Sequence, residues 1–270
     1  MKKTSLTLIT LALLVLLSAC GSTDATITPL DPQHLTVGVT AGPHEEILEK
    51  VQEIAARDGI EIDIQVFTEY VMPNIALAEG ELDINSFQHQ PYLDNFASER
   101  NLELVSVAST VIFPMGIYAS EYTDLAHIQQ GDLIGFPNDP TNGARALILL
   151  ESAGLITLKE DAGVTATILD IEENPLELRF IELEASQIPR QLDELAAAVI
   201  NANFAIEHGY VPTEDTIYLE SGNSPWVNVI AVRTGHENDE TLKKFVEYYH
   251  LDEVRQFIDD HFQGSIIAAW

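Results

Sequence analysis

The sequence predicts an α/β protein of two lobes with a cleft between them. Three observations carry this. Strand, helix and strand follow one another between residues 34 and 66. The same alternation restarts near residue 120. The chain has 270 residues, 46% of them hydrophobic, enough for two modest domains.

The elements read as follows. Residues 34–40 alternate Leu35, Val37 and Val39, a period-2 strand, and Gly42-Pro43 turns the chain. Ile47, Leu48, Val51, Ile54 and Ala55 have helical spacing over 44–57, and Gly59 ends that helix. Ile60, Ile62, Ile64 and Val66 alternate in a second strand, completing a parallel crossover unit. Residues 70–80 predict a helix with Pro73 in its first turn, and 82–87 a short strand. Residues 102–108 and 111–119 read as two further strands. After 120 the spacing predicts a short helix over 124–129 and a strand over 133–136. A helix follows from Pro140 to Leu150, with Asp139 as its N-cap. Strands are expected over 178–183, 196–200 and 226–232, a helix over 189–195, and a helical tail over 240–262.

Composition bounds what such a fold can do. Lys2 and Lys3, the apolar run 6–17 and the small residues up to Cys20 form a secretory signal over residues 1–20. It is too short for a membrane span, and residues 21–33 follow as a polar tether. Cys20 is the only cysteine, so no intrachain disulfide is available. Its setting after Leu-Ser-Ala resembles a bacterial lipobox, which implies lipidation of Cys20 and a diacyl or triacyl anchor. A formal charge of −30 argues against nucleic acid, whose binding needs clustered Lys and Arg.

Three groups of residues stand out. Residues 85–93 (Asn-Ser-Phe-Gln-His-Gln-Pro-Tyr-Leu) bring Phe87, His89 and Tyr92 together at the carboxyl end of a strand, closely preceded by Tyr70. Such rings either wrap an apolar or sulfur-bearing group or fill a core. In open α/β sheets, ligands sit at that end of the strands. Arg145, one of seven arginines, lies early in a helix whose first turn is otherwise uncharged. A helix start with a guanidinium suits a carboxylate, while the alternative is a solvated arginine paired with Glu151 or a neighbouring acid. Asn201 and Asn203 follow an apolar strand and Asn228 lies within one. Their amides suit an ammonium and a carboxylate, or bonding between lobes.

The stretches 38–44 (Gly-Val-Thr-Ala-Gly-Pro-His), 70–80, 85–93, 137–145, 169–175, 182–187, 198–201 (Ala-Val-Ile-Asn) and 224–228 (Ser-Pro-Trp-Val-Asn), in that order, resemble the MetQ/NlpA lipoproteins. These are the substrate-binding subunits of methionine ABC importers, and the likeness runs from about residue 35 to Trp270. It implies a two-lobed periplasmic-binding-protein-like fold, type II-like, that closes on free L-methionine. It implies one lobe over 34–117, completed by 228–270, and a second over 118–227. Carried over by motif, Arg145 holds the α-carboxylate, and Asn203 and Asn228 orient carboxylate and ammonium. Tyr70, Phe87, His89 and Tyr92 line the thioether pocket, and Asn201 is a further candidate. The implied partners are an importer permease, through it an ATPase, and the membrane through the lipid on Cys20, at the extracytoplasmic face. No cofactor is implied. Relatives that take D-methionine or a small methionine peptide make those the alternative ligands. The sequence departs from the family pattern at Gly143-Ala144, at Ala196–Ala198, at Gln90 and in its tail, without removing a proposed contact.

Two other function classes are disfavoured. An enzyme would need a nucleophile, and no Ser-His-Asp spacing, nucleophile elbow, Walker loop or dinucleotide fingerprint is present. A metal receptor would need clustered ligands, and the eight histidines are scattered, with no His-x-x-x-His pair.

Overall fold

A computed structural model describes residues 28–222 and 225–270. The signal, Cys20 and most of the tether lie outside them, as do Asn223 and Ser224.

Two sheets organise the chain. The first takes β1 (His34–Thr40), β2 (Glu61–Phe67), β3 (Ile84–His89), β4 (Leu104–Ile112), β12 (Val227–Arg233) and β13 (Ile267–Ala268), in the order β13-β4-β12-β3-β1-β2. β1 runs parallel to β2 and β3, and β12 lies antiparallel between β3 and β4. The second sheet takes β5 (Gly116–Tyr118), β6 (Leu133–Pro137), β9 (Arg179–Leu183), β10 (Ala197–Ile200) and β11 (Thr216–Leu219), in the order β11-β5-β10-β6-β9. β7 (Thr157–Leu158) and β8 (Ile171–Glu173) form a separate ribbon. The chain therefore crosses between sheets twice, between β4 and β5 and between β11 and β12, and the fold is two-lobed.

The helices follow the apolar spacing. α1 (Pro43–Ala56) buries Ile47, Leu48, Val51, Ile54 and Ala55 against the first sheet, where Leu35, Val37 and Val39 are also buried. Each of the Ile, Leu and Val side chains contributes about 1.5–3 kcal/mol on leaving water. α2 (Met72–Glu79) starts two residues later than the 70–80 reading. α4 (Pro140–Ser152) begins as the sequence predicts: Asp139 Oδ1 accepts from the Asn142 N–H at 2.9 Å, and Pro140 opens the first turn.

Several expectations are corrected. The two strands over 102–108 and 111–119 are instead one nine-residue strand, β4, followed by the crossing and the short β5. Pro114, lacking an N–H, cannot continue the ladder, so pairing stops before it. α3 (Gln90–Arg100) is not predicted by periodicity, because its core-facing residues are few among polar ones. The helix over 189–195 is α5 (Ile188–Gln191) and a 3₁₀ turn, Leu192–Glu194. The helix over 124–129 is a 3₁₀ turn, Leu125–His127. The tail is two helices, α8 (Glu240–Tyr249) and α9 (Asp252–Phe262), parted at His250-Leu251. Short α6 (Ala202–Glu207), α7 (Pro212–Asp215), β7, β8 and β11 have too few residues for a periodic signal. Among the described residues no helix is long and apolar enough to cross a membrane.

Candidate functional site

The carboxyl ends of β1, β3 and β10 and the start of α4 converge on one narrow cleft. The space between its walls, open solvent included, is about 340 Å³. All eight ligand-site residues picked from the sequence line it: Tyr70, Phe87, His89, Tyr92, Arg145, Asn201, Asn203 and Asn228. The sequence reading does not single out His44, Gln88, Phe113 or Ala202, which also line the cleft. His44 had a signal, since it closes the 38–44 motif at the end of β1.

One wall is aromatic. β3 is buried along its whole length at the centre of the first sheet, and its last residues carry Phe87 and His89 to the cleft. Its polar side chains survive burial because Asn74, Asn85 and Gln88 bond one another at 2.7–3.0 Å. The rings of Tyr70, Phe87 and Tyr92 lie 5.8–6.2 Å apart, centroid to centroid. The Tyr92 hydroxyl donates to the Tyr70 carbonyl, which fixes the loop before α2 over α3.

His89 links the wall to the other sheet. It is the N-cap of α3: its Nδ1 accepts from the Tyr92 N–H at 3.1 Å, so the ring proton sits on Nε2. Nε2 donates to Asn142 Oδ1 at 3.1 Å, and Asn201 Nδ2 donates to the same oxygen at 2.8 Å. Asn142 is held by Asp139, whose carboxyl is pushed up by burial against the pull of the donors around it. A second bond crosses the cleft from Tyr70 Oη to Asn203 Oδ1, at 2.6 Å. Among the described residues two amide atoms of the cleft are buried without a partner: Asn201 Oδ1, an acceptor, and Asn203 Nδ2, a donor.

Arg145 forms the polar end. It is neither solvated nor paired with Glu151, whose carboxylate instead accepts from the Leu158 N–H. Its partner is Glu220, on the second crossing segment, which the sequence reading did not name. Nε donates to Glu220 Oε1 at 3.1 Å and Nη2 donates to Oε2, while Nη2 also reaches the Phe113 carbonyl at 2.7 Å. The planar two-bond fork is thus spent on Glu220. Among the described residues Nη1 makes no hydrogen bond, and Arg145 lines the cleft. The guanidinium also lies 5.5 Å from the Trp226 ring centre.

Burial lowers both cleft histidines from 6.5 to about 3, and for His89 the Arg145 charge adds to it. Unfolded imidazoles take a proton near 6.5. Between that value and about 3 the unfolded chain therefore binds more protons, and folded stability falls as pH falls. The limiting slope is about 1.4 kcal/mol per pH unit for each histidine. Relief of carboxylate repulsion in this acidic chain opposes it. A comparison isolates the histidine part: unfolding free energies at pH 7, 6 and 5 are expected to fall more steeply for wild type than for His44→Gln. Parallel curves would show that His44 is not held neutral.

Comparison with known proteins gives a consistent result. The family model described as NlpA lipoprotein matches residues 35–270. The D-methionine-binding lipoprotein MetQ of Escherichia coli K12 is 40% identical over 257 residues, covering 94% of this chain and 93% of the relative. The crystal structure of the methionine binding protein MetQ superimposes with a TM-score of 0.86 at 41% identity, covering 89% of this chain and 99% of that one. A nutrient binding protein from Burkholderia cenocepacia, bound to methionine, gives 0.85 at 44% identity, covering 87% and 100%.

Proposed function

The chain belongs to the NlpA lipoprotein family, and from that premise we propose that it captures L-methionine in its cleft and delivers it to an ABC importer. It works as a lipid-anchored binding protein on the extracytoplasmic face, tethered through Cys20, with a permease and its ATPase as partners. Binding, without covalent chemistry, is its whole task. Each sheet with the helices packed on it is taken as one lobe, within a residue or two of the expected 34–117 with 228–270 and 118–227, and the two close on the ligand.

One observation carries the reading: the cleft has an aromatic wall facing three unspent polar groups. Arg145 Nη1 and Asn203 Nδ2 are donors fit for a carboxylate, and Asn201 Oδ1 is an acceptor fit for an ammonium. A free amino acid supplies both charges. Asn228, opposite His89 in the β12–β3 ladder, orients the same zwitterion. Phe87, Tyr70 and Tyr92 offer ring surface to a thioether, whose sulfur gains about 0.3–1.5 kcal/mol beside a ring. The Escherichia coli relative and the two solved neighbours described above are methionine-binding or methionine-bound proteins, which supports the same ligand.

Calorimetry on ligand-stripped protein tests this. L-Methionine is expected to bind and, at 100 times Kd, to stabilise the fold by about 2.7 kcal/mol. Leucine shares the zwitterion but is branched and lacks sulfur, so it should bind about ten- to two-hundredfold more weakly. D-Methionine and a methionine dipeptide, run in parallel, decide among related ligands. Absence of heat with all of them would refute the assignment, and equal affinity for methionine and leucine would mean that the rings are core and not pocket.

A further inference from the structure

We propose that His44 is a further ligand-contacting residue, its neutral imidazole donating a hydrogen bond to the carboxylate of the bound amino acid beside Arg145. The inference rests on the methionine reading and adds a contact to it. His44 is 3% exposed, lines the cleft, and among the described residues has no hydrogen-bond partner for either ring nitrogen. The ring therefore keeps an N–H and a lone pair to offer to whatever occupies the cleft.

Its position follows from the backbone. β1 ends at Thr40, and Gly42 takes φ +79°, a conformation that favours glycine, so that α1 starts at Pro43. That sharp turn sets His44 in the first turn of α1 at the carboxyl edge of the sheet. A Cβ placed on Gly42 would lie 3.7 Å from the Asn203 carbonyl oxygen, so this turn packs against the start of α6, which carries Asn203. The His44 ring lies on Phe113, with centroids 4.4 Å apart. The carbonyl of that same Phe113 accepts from Arg145 Nη2. His44 therefore stands at the guanidinium end of the cleft.

The chemistry selects the ligand's carboxylate. Burial lowers the imidazole to about 3, so at neutral pH it carries one N–H and one lone pair. An ammonium beside Arg145 would meet a like charge. A carboxylate there accepts from Arg145 Nη1 and has lone pairs left for the His44 N–H and for Asn203 Nδ2.

The test pairs two variants with two ligands. His44→Phe keeps a ring on Phe113 and removes both nitrogens, while His44→Gln keeps a donor. By calorimetry, His44→Phe is expected to weaken L-methionine about ten- to hundredfold, the range for a hydrogen bond to a charged group. His44→Gln should restore most of that loss. For L-methioninamide, whose carboxylate is replaced by an uncharged amide, the His44→Phe penalty should shrink to about threefold or less, the low end of the range for a neutral bond. Unchanged methionine affinity in His44→Phe overturns the contact, and an equal penalty on both ligands assigns His44 a structural role instead. If His44→Phe does not fold, the ring nitrogens of His44 in wild type decide. A methionine-induced ¹⁵N shift supports the contact and its absence overturns it. A wild type that takes no methionine overturns the methionine assignment itself, whereas binding that is indifferent to His44 overturns only this inference.

Discussion

Replacing Glu220 by alanine is expected to lower the stability of the ligand-free protein by about 3–5 kcal/mol, the usual loss when one partner of a buried ion pair is removed. The side chains of Arg145 and Glu220 are 3% and 13% exposed, so neither charge has much water to fall back on. Glu220 takes two of the guanidinium's bonds, and its Oε2 also accepts from the Met115 N–H at 3.0 Å. Its own N–H donates to the Met115 carbonyl. Glu220 thus joins the two segments that cross between the sheets and fastens both to α4. Alanine leaves the guanidinium, among the described residues, with the Phe113 carbonyl as its one hydrogen-bond acceptor. Glutamine keeps one acceptor but turns an N–H₂ toward another donor, so it should lie between wild type and alanine. Removing both charges, as Arg145→Met with Glu220→Leu, should recover much of the stability while abolishing ligand affinity. Urea unfolding of the four proteins measures this, and a loss below about 1 kcal/mol for Glu220→Ala would mean that the pair is solvated.

Glu220 also marks where the sequence stops being readable. Helix and strand over 34–66 follow from the alternation of apolar residues, which reports burial against a sheet. Asp139-Pro140 announces α4 because cap and first-turn chemistry are local. The pairing of Arg145 with a residue 75 positions on is not local, and no spacing rule reaches it. α3 is hidden for a related reason: its cap is the imidazole of His89, which is not among the usual capping side chains, and that ring is set by the sheet around it. The aromatic wall was legible as a cluster of rings but not as a wall, since core aromatics look the same until a strand end places them. His44 sits inside a motif whose turn the sequence shows, but that no described residue bonds its ring is visible only in three dimensions.

Arg145→Ala is expected to weaken methionine by about thirtyfold to several thousandfold, the range for removing one partner of a buried charged contact. The alanine removes the guanidinium from the cleft and with it the cation that offsets the Glu220 carboxylate behind it, so the negative charge close to the ligand carboxylate rises. Lysine should not restore affinity. One ammonium cannot span both Glu220 oxygens and the Phe113 carbonyl while still offering a donor to the cleft, which the planar guanidinium does. Arg179→Ala and Arg190→Ala are the controls. Both side chains are exposed, bonding the Gly131 carbonyl and His208, and neither lines the cleft. Calorimetry well below the melting temperature of each variant keeps lost stability apart from lost affinity. The double variant Arg145→Met with Glu220→Leu separates them again, since it is expected to be folded and unable to bind. If Arg145→Ala retains near-normal affinity, the carboxylate is held elsewhere, and Arg145 serves only to fasten the crossing segments to α4.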